Sequence, residues 1–116
     1  MAVTFAEYQR DASRTAGRDL LPGNEALGLN HAALGLAGEA GEVCDLVKKS
    51  QHYGVDMPDE KLKYELGDVL WYLAHACNVL GWSLEEIAEL NVAKLRKRYP
   101  EGFSAENSVR KLDEQP

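Results

Sequence analysis

Two long segments with the hydrophobic spacing of an α-helix constrain this chain more than any other feature. Apolar residues recur every three or four positions from about Glu25 to about Tyr53, and again from Pro58 to Leu80. Gly54 and Gly81 follow these segments, where a glycine with left-handed backbone commonly ends a helix. No segment shows the alternation of a strand, so the sequence predicts an all-α fold built around two long helices.

Two capping boxes predict a shorter helix on each side of this pair. Thr4 and Ser83 each precede a glutamate by three residues, which is the spacing of a capping box. The first helix is predicted over residues 5–16, and the last runs from Ser83 through about Arg98, where Pro100 stops it. The sequence therefore predicts a bundle of about four helices.

The length of the chain, 116 residues, suits one compact domain with a modest core. Residues from 101 onward are mostly polar, so we expect a loosely held tail anchored by Phe103. We assign residues 1–107 to the domain and residues 108–116 to the tail.

The charge balance limits the partners of this chain. With 19 acidic and 13 basic residues, the net charge of −6 disfavours a nucleic-acid backbone or an anionic membrane and favours divalent cations. Cys44 and Cys77 lie in apolar helical patterns, and we expect both to be buried thiols in a reducing cytosol. No apolar stretch has the length of a signal peptide or a membrane span, so we expect a cytoplasmic location.

Each long helix carries a pair of acidic residues three positions apart, so the members of a pair share a helix face. The first pair is Glu39 and Glu42, and the second is Glu65 and Asp68. A projection at about 100° per residue places Glu39 and Glu65 inside the apolar arcs of their helices, with the other two acids at the borders. The sequence predicts four carboxylates on the core side of two helices.

An acidic pair on a helix ordinarily lies on a solvent-exposed face, but these pairs project toward the apolar side of their helices. A carboxylate on the core side costs several kcal/mol unless a cation compensates its charge. Lys49 and Lys61 are the nearby basic residues, and a divalent metal is the alternative that also relieves repulsion among the acids. Four carboxylates favour Mg²⁺, or Mn²⁺, over zinc. Di-iron bundles use Glu-x-x-His pairs, and here Glu42 and Asp68 occupy the histidine positions.

The predicted fourth helix presents a polar face that could bind phosphates. Asn91, Lys94 and Arg98 lie at positions i, i+3 and i+7. Basic side chains near an acidic metal site would neutralise the remaining oxygens of a metal-bound polyphosphate. The alternative interpretation is a basic last turn that complements the helix dipole.

Other polar residues project close to the acidic pairs. His31 and Lys49 project near Glu42, and Tyr72 and His75 project near Asp68. We treat His31, Lys49 and Tyr72 as candidate substrate-binding residues, although such side chains beside an apolar face are commonly core or rim residues.

These motifs resemble the core blocks of the MazG-like nucleotide pyrophosphohydrolases. The resemblance rests on the paired motif Glu39-x-x-Glu42 and Glu65-x-x-Asp68 with its leucine-rich context, over residues 35–42 and 65–73. It extends to residues 94–100 and 102–104, and covers roughly residues 5–107. The far tail lies outside the resemblance.

The resemblance implies an all-α bundle that is completed by oligomerisation into a homodimer or homotetramer. It implies Mg²⁺-dependent hydrolysis of a nucleoside triphosphate to the monophosphate and pyrophosphate. The metal ligands would be Glu39, Glu42, Glu65 and Asp68. Our own mechanistic hypothesis adds that Glu39 or Glu42 acts as the base on the attacking water. Lys94, Arg98 and, less directly, Asn91 would contact phosphates.

Three alternatives to a broad nucleotide hydrolase remain open at this point. Two are narrower enzymes of the same all-α superfamily, namely a dUTP hydrolase and a phosphoribosyl-ATP pyrophosphohydrolase. The third is a metal-stabilised helical binding module without turnover.

Overall fold

The computed structural model describes residues 2–116, and α-helices make up most of them. The helices are α1 (Phe5–Ser13), α2 (Glu25–Tyr53), α3 (Asp59–Leu80), α4 (Leu84–Arg98) and α5 (Ala105–Arg110), with short 3-10 helices at Gly17–Leu20 and Leu112–Glu114. No β-strand forms within residues 2–116, so the all-α prediction is confirmed. No helix in this part of the chain combines the length and hydrophobicity that crossing a bilayer requires.

The ends of the two long helices agree with the sequence. Gly54 and Gly81 have left-handed backbone, with φ of 67° and 72°, and their N–H groups donate to Lys49 and Cys77 carbonyls. A residue with a Cβ would be strained in this conformation, so glycine suits both positions.

The first helix is shorter than predicted. Thr4 caps it by accepting from the N–H of Glu7, as the capping box requires. It ends at Ser13 instead of Ala16, since the next residues donate three positions back and the Ser13 hydroxyl donates to the carbonyl of Arg10. A serine hydroxyl that competes for backbone groups commonly weakens the end of a helix.

The described chain forms two compact units, one up to Leu84 and one over Glu85–Pro116. The first unit holds the buried core, in which α1, α3 and the first residue of α4 meet; the core residues are Ala12, Ala74, Cys77 and Leu84. Gln9 of α1 strengthens this contact, because its amide donates to Asn78 and to the carbonyl of Trp82 and accepts from the N–H of Leu84.

Helices α2 and α3 run antiparallel and form the most extensive contact between elements of the first unit. Two glycines of α2 lie directly against α3: a Cβ at Gly28 would lie 3.0 Å from Val79, and a Cβ at Gly35 would overlap Tyr72. Because the partners on α3 descend as the positions on α2 rise, the next turn of α2 brings Glu39 to the level of Asp68.

The second unit gives the expected loosely held tail a short helix and a fixed ion pair. Ser104 caps α5 by accepting from the N–H of Asn107, and the guanidinium of Arg98 donates to both carboxylate oxygens of Asp113. Phe103 is not the anchor, since it is 79% exposed, although its ring lies 5.5 Å from that of Tyr99. The predicted boundary between residues 107 and 108 falls inside α5.

The prediction of two buried thiols is half wrong. Cys77 lies in the core, but Cys44 is exposed on α2. The reason is that the other elements of the first unit cover only part of the apolar face of α2. Several leucines of the same pair of helices are more than 40% exposed for the same reason; they are Leu27, Leu29, Leu34 and Leu66.

Candidate metal centre

Three of the four predicted carboxylates meet where α2 and α3 pass each other. Ligand oxygens of Glu39, Glu65 and Asp68 all lie within 4.8 Å of one another. Two positions of α3 one turn apart face a single position of α2, which is what the i,i+3 spacing provides on a helix surface. The arrangement gives one cluster of carboxylates supplied by two helices.

The carboxylates lie at the edge of the helix contact and not within the core. Glu39 and Glu65 are half-buried and Asp68 is exposed. The sequence projection placed Glu39 and Glu65 in apolar arcs, and it was wrong about the depth because α2 and α3 cover only a narrow strip of each other. The cluster is therefore open to solvent, as a site for an incoming ligand must be.

Glu42 lies outside this cluster, in a different environment. It is exposed and borders a neighbouring cavity of about 290 Å³, which Glu65, Lys49 and Lys61 also line. Its charge nevertheless acts on Glu39, one turn away. That Glu42 is a fourth metal ligand stays a prediction.

The close carboxylates perturb each other electrostatically. Partial burial raises the pKa of Glu39 above that of an ordinary glutamate, and the charges of Asp68, Glu65 and Glu42 raise it further. Like charges held this close destabilise the ionised forms of the group. A cation bound among them would remove this penalty.

Basic side chains do not neutralise the cluster. In residues 2–116, no lysine, arginine or histidine forms an ion pair with Glu39, Glu42, Glu65 or Asp68. Lys49 pairs instead with Asp45, at 2.8 Å, and this bond raises the pKa of Lys49. The ligand set consists only of carboxylate oxygens, which fits a hard divalent cation such as Mg²⁺ or Mn²⁺.

A cavity of about 320 Å³ opens next to the cluster. Its lining combines carboxylates with aromatic rings: Thr15, Glu39, Asp68, Trp71 and Tyr72. The indole N–H of Trp71 donates to the Thr15 hydroxyl at 2.9 Å, so α3 and the segment that follows α1 share one wall. A volume near 300 Å³ is at the lower end of the range for small-molecule sites.

Of the lining residues, Thr15 was not predicted from the sequence, and Trp71 was considered as a ring that could stack on a base, although an aromatic at helical spacing is usually a core residue. Thr15 lies after the end of α1, where no periodicity exists to place it. Trp71 is three positions after Asp68, on the same helix face, and this spacing was the available signal. Tyr72 lies in the lining as projected, and its contact with substrate stays a prediction.

A second polar group lies further along the same pair of helices. One carboxylate oxygen of Asp19 is 2.6 Å from Nδ1 of His31 and 2.6 Å from Nε2 of His75. Both ring nitrogens must donate to it, and these hydrogen bonds lower the pKa of Asp19. His75 is fully buried and its Nδ1 has no partner among the described residues. His31 thus contacts Asp19, which sequence analysis did not single out.

This second group suits hydrogen bonding better than metal binding. Two histidines and a carboxylate are a donor set that zinc accepts. Ligands about 2.1 Å from a tetrahedral zinc are roughly 3.4 Å apart, however, whereas the oxygen and each nitrogen here are 2.6 Å apart. Metal-bound histidines also usually donate from their second nitrogen, and Nδ1 of His75 has no acceptor. We interpret the group as two hydrogen bonds that hold the 3-10 segment Gly17–Leu20 against α2 and α3.

The predicted phosphate-binding face belongs to the second unit. Asn91 and Lys94 are exposed on α4, and Arg98 is half-buried in its pairing with Asp113. That pairing raises the pKa of Arg98 and lowers that of Asp113. The phosphate contacts of these three residues stay predictions.

The chain was compared with known proteins. A family model described as the MazG nucleotide pyrophosphohydrolase domain matches residues 29–103, which include both acidic pairs. The Gene 37 protein of Mycobacterium phage L5 is 38% identical over 103 residues, and the match covers 82% of this chain and 88% of the phage protein. No solved structure matches.

Proposed function

Since the chain belongs to the family of MazG nucleotide pyrophosphohydrolases, we propose that it hydrolyses a nucleoside or deoxynucleoside triphosphate to the monophosphate and pyrophosphate with the help of Mg²⁺. The substrate is a free nucleotide rather than a nucleic acid, which agrees with the net charge of −6. Such a reaction would clear unwanted nucleotides from the pool. Nucleotides of this kind are cytoplasmic metabolites, so we place the enzyme in the cytoplasm.

One observation carries this proposal more than any other: three carboxylates within 4.8 Å of one another have no basic partner among the described residues. Glu39, Glu65 and Asp68 would hold the cation, with Glu42 as a further ligand. Mg²⁺ in such a site supplies charge neutralisation for the triphosphate and a more acidic bound water. Mn²⁺ has similar ligand preferences and would replace it.

The protein's own residues would then bind and orient the nucleotide. The cavity beside Glu39 and Asp68 would hold the part of the substrate next to the cation, with Tyr72 in its wall. We assign the outer phosphates to Lys94, Arg98 and Asn91, and we keep Lys49 and His31 as further substrate contacts. Either Glu39 or Glu42 accepts the proton of the attacking water.

We also propose that the functional form is a homodimer or homotetramer. The supporting observation is that four leucines of α2 and α3 are more than 40% exposed in the first unit. Apolar surface of this extent is commonly covered by another subunit. Light scattering on a sizing column measures the mass directly, and a monomer at micromolar concentration would contradict this part of the proposal.

A panel of nucleotides tests the proposed reaction. The protein is incubated with Mg²⁺ and each of the ribo- and deoxyribonucleoside triphosphates, with dUTP and phosphoribosyl-ATP included, and the products are identified by chromatography. Monophosphate and pyrophosphate in equal amounts support the proposal, and the ranking of substrates separates a broad enzyme from the two narrower ones. Diphosphate and inorganic phosphate would contradict it, and Mg²⁺ binding without any product would favour the binding module.

A further inference from the structure

The ring of Tyr72 rests directly on the backbone of α2 at Gly35. A Cβ at Gly35 would lie 2.0, 2.4 and 2.5 Å from three carbon atoms of this ring. Atoms cannot approach to such distances, so no residue with a side chain fits while the ring stays where it is. Gly35 does not have the positive φ that favours glycine for backbone reasons, and a glycine in a helix interior makes the helix less stable than alanine would. The contact with Tyr72 is what accounts for it.

The position of Gly35 along α2 places this contact next to the carboxylate cluster. Glu39 follows Gly35 by one helical turn, and Asp68 precedes Tyr72 by one turn on α3. The ring therefore lies one turn from the carboxylate cluster, in the wall of the cavity that Glu39 and Asp68 also line. The Tyr72 hydroxyl has no hydrogen-bond partner among residues 2–116, which leaves it available to a ligand.

Aromatic neighbours hold the ring laterally. The His31 ring meets it edge-on with centroids 5.7 Å apart, and the Trp71 ring does so at 4.9 Å. His31 is itself fixed by Asp19. The ring thus contacts two neighbouring rings and the bare backbone of Gly35, so a side chain at Gly35 would force the Tyr72 ring out of its present position.

We infer that Gly35 is a positioning residue for substrate: by leaving the backbone of α2 bare, it seats Tyr72 in the cavity wall one turn from the carboxylate cluster, where the ring and hydroxyl contact the bound nucleotide. The inference rests on the proposed function, because it assigns Tyr72 to the nucleotide site. It does not involve the cation ligands, so metal binding and nucleotide binding should respond differently to a change at Gly35.

The chain offers a matched control in the same helix. A Cβ at Gly38 meets nothing within 4 Å, so Gly38→Ala changes helix propensity as Gly35→Ala does but leaves Tyr72 in place. The test measures kcat and KM for the preferred triphosphate, Mg²⁺ binding without nucleotide, and thermal unfolding. We expect Gly35→Ala to lower kcat/KM by about tenfold or more, with Mg²⁺ affinity unchanged, since displacements near 1 Å can cost a hundredfold. Gly38→Ala should stay within about twofold of the parent.

A double-mutant cycle shows whether Gly35 acts through Tyr72. Tyr72→Ala removes the ring, so Gly35→Ala should have no further effect on kcat/KM in that background. This comparison also decides the matter if Gly35→Ala alone does not fold, because the double variant no longer contains the overlap. Normal kinetics of Gly35→Ala, or a further loss in the Tyr72→Ala background, would overturn the inference.

The inference can fail separately from the proposed function. If the parent protein releases no pyrophosphate, the proposed function fails, and the parent and the four variants are compared for binding of an α,β-imido nucleoside triphosphate. Weaker binding by Gly35→Ala than by Gly38→Ala would then still support the inference that Gly35 positions Tyr72 for the nucleotide. Equal binding by these two variants would contradict it.

Discussion

Glu39 and Asp68 come from different helices, yet their carboxylate oxygens lie within 4.8 Å of each other and line the same cavity. Burial and the neighbouring charges raise the pKa of Glu39, which shows that ionised forms are disfavoured there without a cation. The pair therefore links metal binding to stability. Removing the charge of either residue should weaken metal binding and raise the stability of the metal-free protein.

The first prediction concerns Asp68→Asn, which keeps the shape of the side chain and removes its charge. Without metal, this variant should unfold at a higher temperature than the parent, because like-charge repulsion is lost. In the parent, Mg²⁺ at about 100 times its Kd should add about 2.7 kcal/mol of stability, and the variant should lose most of that gain. Glu89→Gln, at an exposed position of α4, is the charge-matched control. A variant that Mg²⁺ stabilises as much as the parent would contradict the assignment.

The second prediction is a pH dependence that comes from Asp19. Hydrogen bonds from His31 and His75 lower the pKa of Asp19, so its stabilising contribution is present above the usual pKa of an aspartate and is lost as pH falls through the lowered value. Asp19→Asn should lower the urea midpoint at neutral pH, and the difference from the parent should shrink below about pH 4. Asp56→Asn, at an exposed loop position, should leave the pH profile unchanged. A constant difference between parent and Asp19→Asn at all pH values would refute the role of this charge.

The third prediction concerns the bidentate pair of Arg98 and Asp113 in the second unit. Asp113→Asn removes the charge that holds Arg98, so hydrogen exchange in α5 should become faster. Glu114 is farther from Arg98, at 3.6 Å, and more exposed, so Glu114→Gln should change the exchange much less. Equal protection of α5 in both variants would show that Asp113 does not hold this segment.

The fourth prediction separates the two cysteines. Cys77 lies in the core and Cys44 is exposed. Cys77→Ser should lower the free energy of unfolding by about 1–3 kcal/mol, because it buries a hydroxyl without a designed partner. Cys44→Ser should retain both stability and hydrolysis, since the proposed mechanism uses carboxylates. Loss of activity by a folded Cys44→Ser protein would contradict that mechanism.

The long helices could be predicted almost to the residue because their signals are local. A glycine at 54 and another at 81 end them with left-handed backbone, and the apolar spacing between those ends is helical. The 3-10 segment Gly17–Leu20 and α5 lack that spacing. Their positions depend on single contacts between residues far apart in sequence, such as Arg98 with Asp113, which no periodicity reveals.

In the candidate site, too, the features with local spacing could be predicted and those that depend on tertiary contacts could not. The acidic pairs could be found from their spacing, but the projection could not say that Glu42 lies outside the cluster of three or that Asp68 is exposed. Those facts depend on how much of α2 the opposite helix covers. Asp19 lies in the 3-10 segment and Thr15 just after α1, and both make their polar contacts through tertiary packing against α2 and α3.

The most direct test of the account is pyrophosphate release from the preferred triphosphate, with Mg²⁺ and with EDTA, by the parent protein, Glu39→Gln and the exposed control Glu89→Gln. We predict release by the parent and by Glu89→Gln in Mg²⁺ only, and none by folded Glu39→Gln. Release that continues in EDTA, or in Glu39→Gln at the rate of the parent, would contradict a metal centre built on Glu39, Glu65 and Asp68.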